Sequence, residues 1–134
     1  AEPVIKGTDG LWLKADDGSQ LDDAVRTLRR TVPKNGTNMH AAFQVIRDMN
    51  PRPDNVIILV DSMPTMDSPV ASKSVIGGGE RLNLFSSAVN LIPSGIPINI
   101  MLYPMEGDSQ ASVSFWSLAL RTRGSFISVS HDWP

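Results

Sequence analysis

Two spacings of apolar residues alternate along this chain, one typical of buried strands and the other typical of helices. The clearest apolar run is Val56–Val60, which is rich in β-branched residues and apolar at every position. That pattern is typical of a central parallel strand covered on both faces. The stretches before and after it carry apolar residues at helical spacing. Together they predict an α/β fold: a Rossmann-like, mainly parallel sheet flanked by helices.

Two helices are predicted before the apolar run. The first begins after a cap at Ser19 and is stopped by Pro33 and the Asn-Gly pair that follows it. Its apolar residues fall on one face, and they are Leu21, Ala24, Val25 and Leu28. The second begins after a cap at Thr37 and is broken by residues 50–53, which hold two prolines.

Two more helices and two more strands are predicted after the apolar run. The third helix should extend from about residue 80 to residue 92, and the fourth should begin at Asp108 or Ser109. Gly124 is the expected C-cap of the fourth helix. The remaining strands are expected over residues 98–103 and 126–129.

The chain is expected to form one domain over residues 1–134. Residues 1–18 form an N-terminal edge segment, in which residues 11–15 alternate weakly and are predicted as an edge strand. Residues 62–79 lack periodicity and are predicted to form a long flexible loop. The triple glycine at its end is interpreted as a hinge, because no Gly-Lys-Ser/Thr follows to make a phosphate cradle.

Charge and composition exclude several classes of function. The net charge is −2 at pH 7, and the chain has no basic stripe that would indicate nucleic-acid binding. The absence of cysteine excludes disulfides, a thiol nucleophile and a cysteine-based zinc site. The longest aliphatic run has far fewer than the roughly 20 residues of a membrane-spanning helix. None of these features decides the compartment.

Two oxygen-bearing side chains are predicted to meet at one edge of the sheet. Asp61 ends the most buried strand, and Thr37 lies in the loop that enters the preceding helix. Ligands of open α/β sheets bind beyond the carboxyl ends of the strands. A carboxylate and a hydroxyl there suit Mg²⁺, Mn²⁺ or Ca²⁺. The alternative is structural, with Thr37 as an ordinary N-cap and Asp61 as a turn residue.

The order of these motifs resembles the second half of the von Willebrand factor A family. The resemblance is carried by Gly36-Thr37-Asn38-Met39 before an amphipathic helix, then by the strand ending in Asp61-Ser62-Met63-Pro64-Thr65. Further along, Ile96-Pro-Ile-Asn-Ile, Gly107-Asp108 before a helix, and Gly124-Ser125-Phe126 are similar to bacterial members. The resemblance covers roughly residues 20–134.

The resemblance implies a protein-binding or adhesion module rather than an enzyme. In that family the Gly-Thr-Asn loop and the strand-terminal aspartate belong to a metal-ion-dependent adhesion site. Carried over by position, Thr37 would be a direct ligand of Mg²⁺ or Mn²⁺ and Asp61 a water-mediated one. The open position of the metal would then accept a carboxylate from a protein partner.

This sequence also departs from the family pattern. The signature Asp-x-Ser-x-Ser after a hydrophobic first strand is absent, and Asp16-Asp17-Gly18-Ser19 has the wrong spacing. Ser62 stands where glycine is usual. We therefore expect an N-terminally truncated domain that lacks the first strand, so that this chain binds metal weakly or not at all.

The sequence leaves two alternative functions open and also predicts a mode of self-association. One alternative function is a magnesium-dependent phosphoryl-transfer hydrolase that uses Asp61, although no paired carboxylates, phosphate lysine or general base accompany it. Another is a metal-free assembly domain. If the first strand is missing, Val56–Val60 would also expose a free edge, through which two copies could pair as a homodimer.

Overall fold

The described part of the chain has a mixed α/β fold with four helices and a three-stranded parallel sheet. The computed structural model describes residues 3–32, 36–67 and 75–129. In chain order the elements are α1 (Ser19–Arg30), α2 (Met39–Asp48), β1 (Val56–Val60), α3 (Gly78–Val89), β2 (Ile98–Leu102), α4 (Ser109–Thr122) and β3 (Phe126–Ser128). The strands are ordered β1-β2-β3, with every pair parallel. The expected α/β class and the parallel sheet are confirmed.

The core lies on one side of the sheet. Alternate residues of β2 point into it, and Ile98, Ile100 and Leu102 are all buried. They join the buried face of α2, α3 and α4 in one apolar cluster. Within it, the rings of Phe85 and Phe115 meet edge to face at 5.3 Å, an arrangement that aromatic rings favour over a face-to-face stack.

The other side of the sheet is exposed, which the sequence did not predict. We expected Val56–Val60 to be covered on both faces, but Ile57 and Leu59 are each 67% exposed. In the part of the chain that the structure describes, β1 is an edge strand, paired on one side by β2 alone. An apolar run shows only that both faces of a strand could be buried. Whether each face is buried depends on which elements pack against it.

The N-terminal region forms fewer tertiary contacts than expected. Residues 11–15 form no strand, so the predicted edge strand is wrong. The Trp12 indole donates a hydrogen bond to the Pro51 carbonyl oxygen at 2.8 Å and ties this segment to the chain before β1. Helix α1 follows, and none of its residues is buried.

The start of α1 differs from the prediction by one residue. Ser19 is the first helical residue rather than the cap, and Gly18 precedes it in a left-handed conformation. Asp17 instead accepts hydrogen bonds from the Ser19 backbone N–H at 2.9 Å and from its hydroxyl at 2.8 Å. These bonds, the backbone one first, hold the pKa of the Asp17 carboxyl below its ordinary value.

Two other helices also begin at residues that differ from the prediction. Asn38, not Thr37, caps α2, because its side-chain oxygen accepts a hydrogen bond from the Ala41 N–H at 2.9 Å. Helix α3 begins at Gly78 rather than near residue 80. Part of the triple glycine is therefore helical, which corrects its interpretation as a hinge.

Gly124 is required for a reason other than the predicted one. The left-handed residue that ends α4 is Arg123, with φ of 60°. A Cβ atom on Gly124 would lie 1.9 Å from the carbonyl oxygen of Ile98, a backbone atom of β2. The glycine therefore permits the close approach of the α4–β3 connection to the sheet.

Only part of the predicted long loop lies within the described residues. Of residues 62–79, the structure describes 62–67 and 75–79. In the first of these parts, Ser62, Met63 and Pro64 are all buried. This buried stretch directly follows Asp61, so it bears on the candidate site.

Candidate binding site at the carboxyl edge of the sheet

Asp61 lies where β1 ends, at the edge to which all three parallel strands point. The residue is exposed. Its Oδ1 accepts a hydrogen bond from the hydroxyl of the buried Ser62 at 3.0 Å. Its backbone carbonyl oxygen accepts another from the Met105 N–H at 3.1 Å, which joins the loops that follow β1 and β2. The carboxylate is thus oriented by a neighbour while it remains open to solvent.

Thr37 is brought to the same edge by backbone hydrogen bonds. Its N–H donates to Thr65 Oγ1 at 3.0 Å, and its carbonyl oxygen accepts from the N–H groups of Thr65 and Met66 at 3.0 and 3.3 Å. A Cβ atom on Gly36 would lie 2.3 Å from Thr65 Oγ1, so a side chain there would push the two loops apart. The Gly-Thr-Asn loop and the loop after Asp61 are therefore held together.

A third group of residues at this edge was not predicted from the sequence. Asp108, expected only as a helix cap, makes no side-chain capping bond to α4. Its Oδ2 accepts a hydrogen bond from the Met63 N–H at 2.7 Å and lies 3.0 Å from Arg81 Nη2. The same Arg81 nitrogen donates to the Met63 carbonyl oxygen at 2.7 Å. Both backbone polar groups of Met63 are therefore bound by one ion pair.

Burial makes this Arg81–Asp108 clamp stronger than a surface ion pair. The two side chains are 20% and 8% exposed, against 62% each for the Asp23–Arg26 pair on α1. Charges shielded from water interact more strongly, and breaking such a pair leaves an uncompensated charge. The clamp fixes the loop that follows Asp61 to the first turn of α3 and the start of α4. Sequence spacing offered no signal for it, because the three residues are far apart in the chain.

The oxygen ligands at this edge are of the kind that a hard cation prefers, but they are too few to hold one tightly. The oxygens available are the Asp61 carboxylate and the hydroxyls of Ser62 and Thr37, while Asp108 is committed to the clamp. Among the described residues, no group of three or more His, Cys, Asp or Glu side chains could hold a metal ion. These residues do not fit a tight divalent site, because a cation with so few protein ligands keeps most of its water.

Comparisons with known proteins add no assignment. No family model matches the chain, and neither the curated proteins nor the solved structures give a match. The resemblance to the von Willebrand factor A family therefore remains one of sequence motifs. Separately, no helix within residues 3–32, 36–67 and 75–129 is long and apolar enough to span a bilayer.

Proposed function

We propose that this chain is a protein-binding module of the von Willebrand factor A type, whose partner docks at the carboxyl edge of the sheet. The observation that carries the proposal is the set of hydrogen bonds between Thr37 and residues Thr65 and Met66. They place the Gly-Thr-Asn loop beside the loop that follows Asp61. The two motifs that carry the family resemblance thus lie at one edge, where open α/β sheets bind their ligands.

Each residue at this edge has a distinct part in the proposed function. Asp61 supplies the exposed negative charge that attracts a divalent cation, and Ser62 orients it through the bond to Oδ1. Thr37 supplies a neutral oxygen. In a form of the domain that also carries Asp-x-Ser-x-Ser, Mg²⁺ or Mn²⁺ would be held here and would receive a carboxylate from the partner. The Arg81–Asp108 clamp keeps the loop in shape before the partner arrives.

The proposed role is binding rather than catalysis. A phosphoryl-transfer site would need further groups beside Asp61, such as a second free carboxylate or a cation for the phosphate. Arg81, which contacts the loop after Asp61, is already paired with Asp108 and bonded to Met63. The geometry supplies no specific observation in favour of the hydrolase alternative.

Paramagnetic broadening by Mn²⁺ would test the proposed site. With so few protein ligands, binding should be weak, so we expect broadening only at millimolar Mn²⁺. The NMR amide signals of Asp61, Ser62 and Thr37 should broaden first. Asp61→Asn should abolish the effect. Asp54→Asn should not, because Asp54 is an exposed aspartate that precedes β1 at the opposite end of the sheet.

Three results would contradict the proposal. Broadening centred elsewhere would show that the cation does not use this edge. A micromolar site at Asp61 would show that the ligand set inferred for this chain is wrong. A phosphatase or nucleotidase turnover that Asp61→Asn removes would favour the hydrolase reading instead.

A further inference from the structure

The uncovered side of the sheet forms an apolar surface, which we name the open sheet face. Register places Leu59, Met101 and Ile127 side by side across the three strands. Ile57 lies on the same face of β1, beside the polar Asn99 of β2. The Tyr103 hydroxyl lies 3.1 Å from the Met101 sulfur. The side chains of Ile57, Leu59, Tyr103 and Ile127 are all exposed. Contiguous apolar surface of this kind marks an interaction site more often than scattered single residues do.

Helix α1 carries a second apolar surface without a partner, the α1 stripe of Leu21, Val25 and Leu28. These residues follow one another at spacings of four and three, so they lie on one side of the helix. Each is about half exposed. Within residues 3–32, 36–67 and 75–129, no Cα atom of α1 comes within 8 Å of a Cα atom in any other helix or strand. Instead the polar face of the helix, with Asp23 and Arg26, lines an open groove beside residues 4–6.

Hydrogen bonds connect residues on both sides of α1 to other parts of the same chain. Before the helix, Trp12 is bonded to the Pro51 carbonyl oxygen near the start of β1. After it, Thr37 is bonded to Thr65 at the carboxyl edge of the sheet. In the described part of the chain the stripe is thus exposed, and α1 packs against no helix or strand of its own chain.

The dimensions of the two surfaces match. Three strands of about 4.8 Å spacing make a face roughly 14 Å wide. It is roughly 17 Å long over the five-residue β1 and β2 and roughly 10 Å long over the three-residue β3. A helix of 12 residues is about 18 Å long and about 10 Å wide. The open sheet face therefore accommodates one helix. Two such faces pressed together would cover roughly 240 Å² per partner at most. Two helix-on-sheet contacts would cover roughly 420 Å², about half of the roughly 800 Å² per partner of a standard interface, so we expect a weak dimer.

We propose that two copies of this chain form a reciprocal dimer in which the α1 stripe of each lies on the open sheet face of the other. A two-fold arrangement satisfies both surfaces in both copies at once. The net charge of −2 per chain offers little repulsion against it. This proposal does not rest on the binding function at the carboxyl edge, and it differs from edge-to-edge pairing through β1.

Cross-linking tests the contact directly, because the chain has no native cysteine. Val25→Cys chains are mixed with Leu59→Cys chains and treated with a short bifunctional thiol reagent. We expect a covalent heterodimer in the mixture. Arg26→Cys, on the polar face of the same helix, should give none with Leu59→Cys.

Other cross-linking patterns would overturn the proposal. A link formed within a monomeric Val25→Cys/Leu59→Cys double variant would show that α1 covers its own sheet. Links among Val25→Cys chains alone would show helix-to-helix pairing. Links between Ile57→Cys and Leu59→Cys chains would show that β1 edges pair instead.

Sedimentation across a concentration series gives an independent measurement. Leu59→Asp should raise the dimer dissociation constant by more than about tenfold, because it places a charge against an apolar helix face. The exposed position of Leu59 makes this change compatible with folding. Val113→Asp, at a similarly exposed apolar residue on the outer face of α4, should leave dimerisation unchanged. Asp61→Asn should also leave it unchanged, which separates this proposal from the metal site. A wild-type chain that stays monomeric throughout would refute it.

Discussion

The N-terminal region with α1 and the sheet region with α4 both contain a helix with apolar residues at helical spacing, but only the helix of the sheet region buries them. Helix α1 has a clear apolar face, yet none of its residues is buried. Helix α4 shows a less regular pattern, yet Ala111, Phe115, Leu118 and Ala119 are all buried. The difference lies in the partners, since α4 packs against β2 and β3, while α1 packs against no other helix or strand among the described residues.

This comparison shows that amphipathicity predicts a helix but not its burial. Most helical stability in proteins comes from tertiary packing of the apolar face. A helix without such packing contributes little to the cooperative unit, and its stripe is available for a second molecule. The sheet region should therefore govern the stability of the monomer, and α1 should govern association.

The two regions should differ most in how much a leucine-to-alanine substitution lowers the free energy of unfolding. Leu118→Ala, at a residue 2% exposed in α4, should lower the free energy of unfolding by about 2–5 kcal/mol, because it opens a cavity in the core. Leu28→Ala, at a residue 55% exposed in α1, should change it by no more than about 0.5 kcal/mol. Chemical denaturation at low protein concentration measures both without a contribution from dimerisation. Equal losses would show that α1 is part of the core.

A smaller contrast is expected between the two ion pairs. Asp108→Asn should lower the free energy of unfolding by about 1–3 kcal/mol, because it leaves Arg81 without its counter-charge and weakens the bond to the Met63 N–H. Asp23→Asn, the same chemical change in the exposed pair on α1, should cost less than about 1 kcal/mol. Hydrogen exchange at Met63 should also accelerate in Asp108→Asn and not in Asp23→Asn. An unaffected Met63 amide would show that the clamp does not fix the loop.

The smallest effect concerns the start of α1. The pKa of Asp17 lies below its ordinary value, mainly because the ionised carboxylate accepts the Ser19 N–H. A lowered pKa means that the contribution to stability is present above the unfolded-state pKa. It is lost as pH falls through the lower, folded-state value. We therefore expect fraying of the first turn of α1 only in strongly acidic solution, with little change in global stability.

An NMR titration of the Asp17 carboxyl carbon measures that pKa directly. Ser19→Ala should raise it part of the way toward the ordinary value, because the hydroxyl bond at 2.8 Å is removed while the backbone bond remains. Ser86→Ala, on the exposed side of α3, is the matched control and should leave the pKa unchanged. A Ser19→Ala variant with an unaltered pKa would contradict the role of the hydroxyl.

The fold was largely predictable from the sequence, whereas the candidate site was predictable only in outline. The run Val56–Val60 and the Pro-bounded helices indicated the α/β class and the parallel strands, and both were found. The expectation that Asp61 and Thr37 share one edge rests on that topology, and their joint role in a site remains a prediction. The Arg81–Asp108 clamp does not follow from the topology, because its members come from two helices and bind a backbone group of a third segment.

What the sequence determined by itself were local features, since they depend on neighbours in the chain. Apolar spacing made α1 and α4 helices, and glycine at position 124 left room for a close backbone approach. What only the tertiary structure decided was which apolar surfaces are covered. The same strand β1 partly buries one face and exposes Ile57 and Leu59 on the other. Burial requires an element that packs against the face, and no pattern within a strand specifies one.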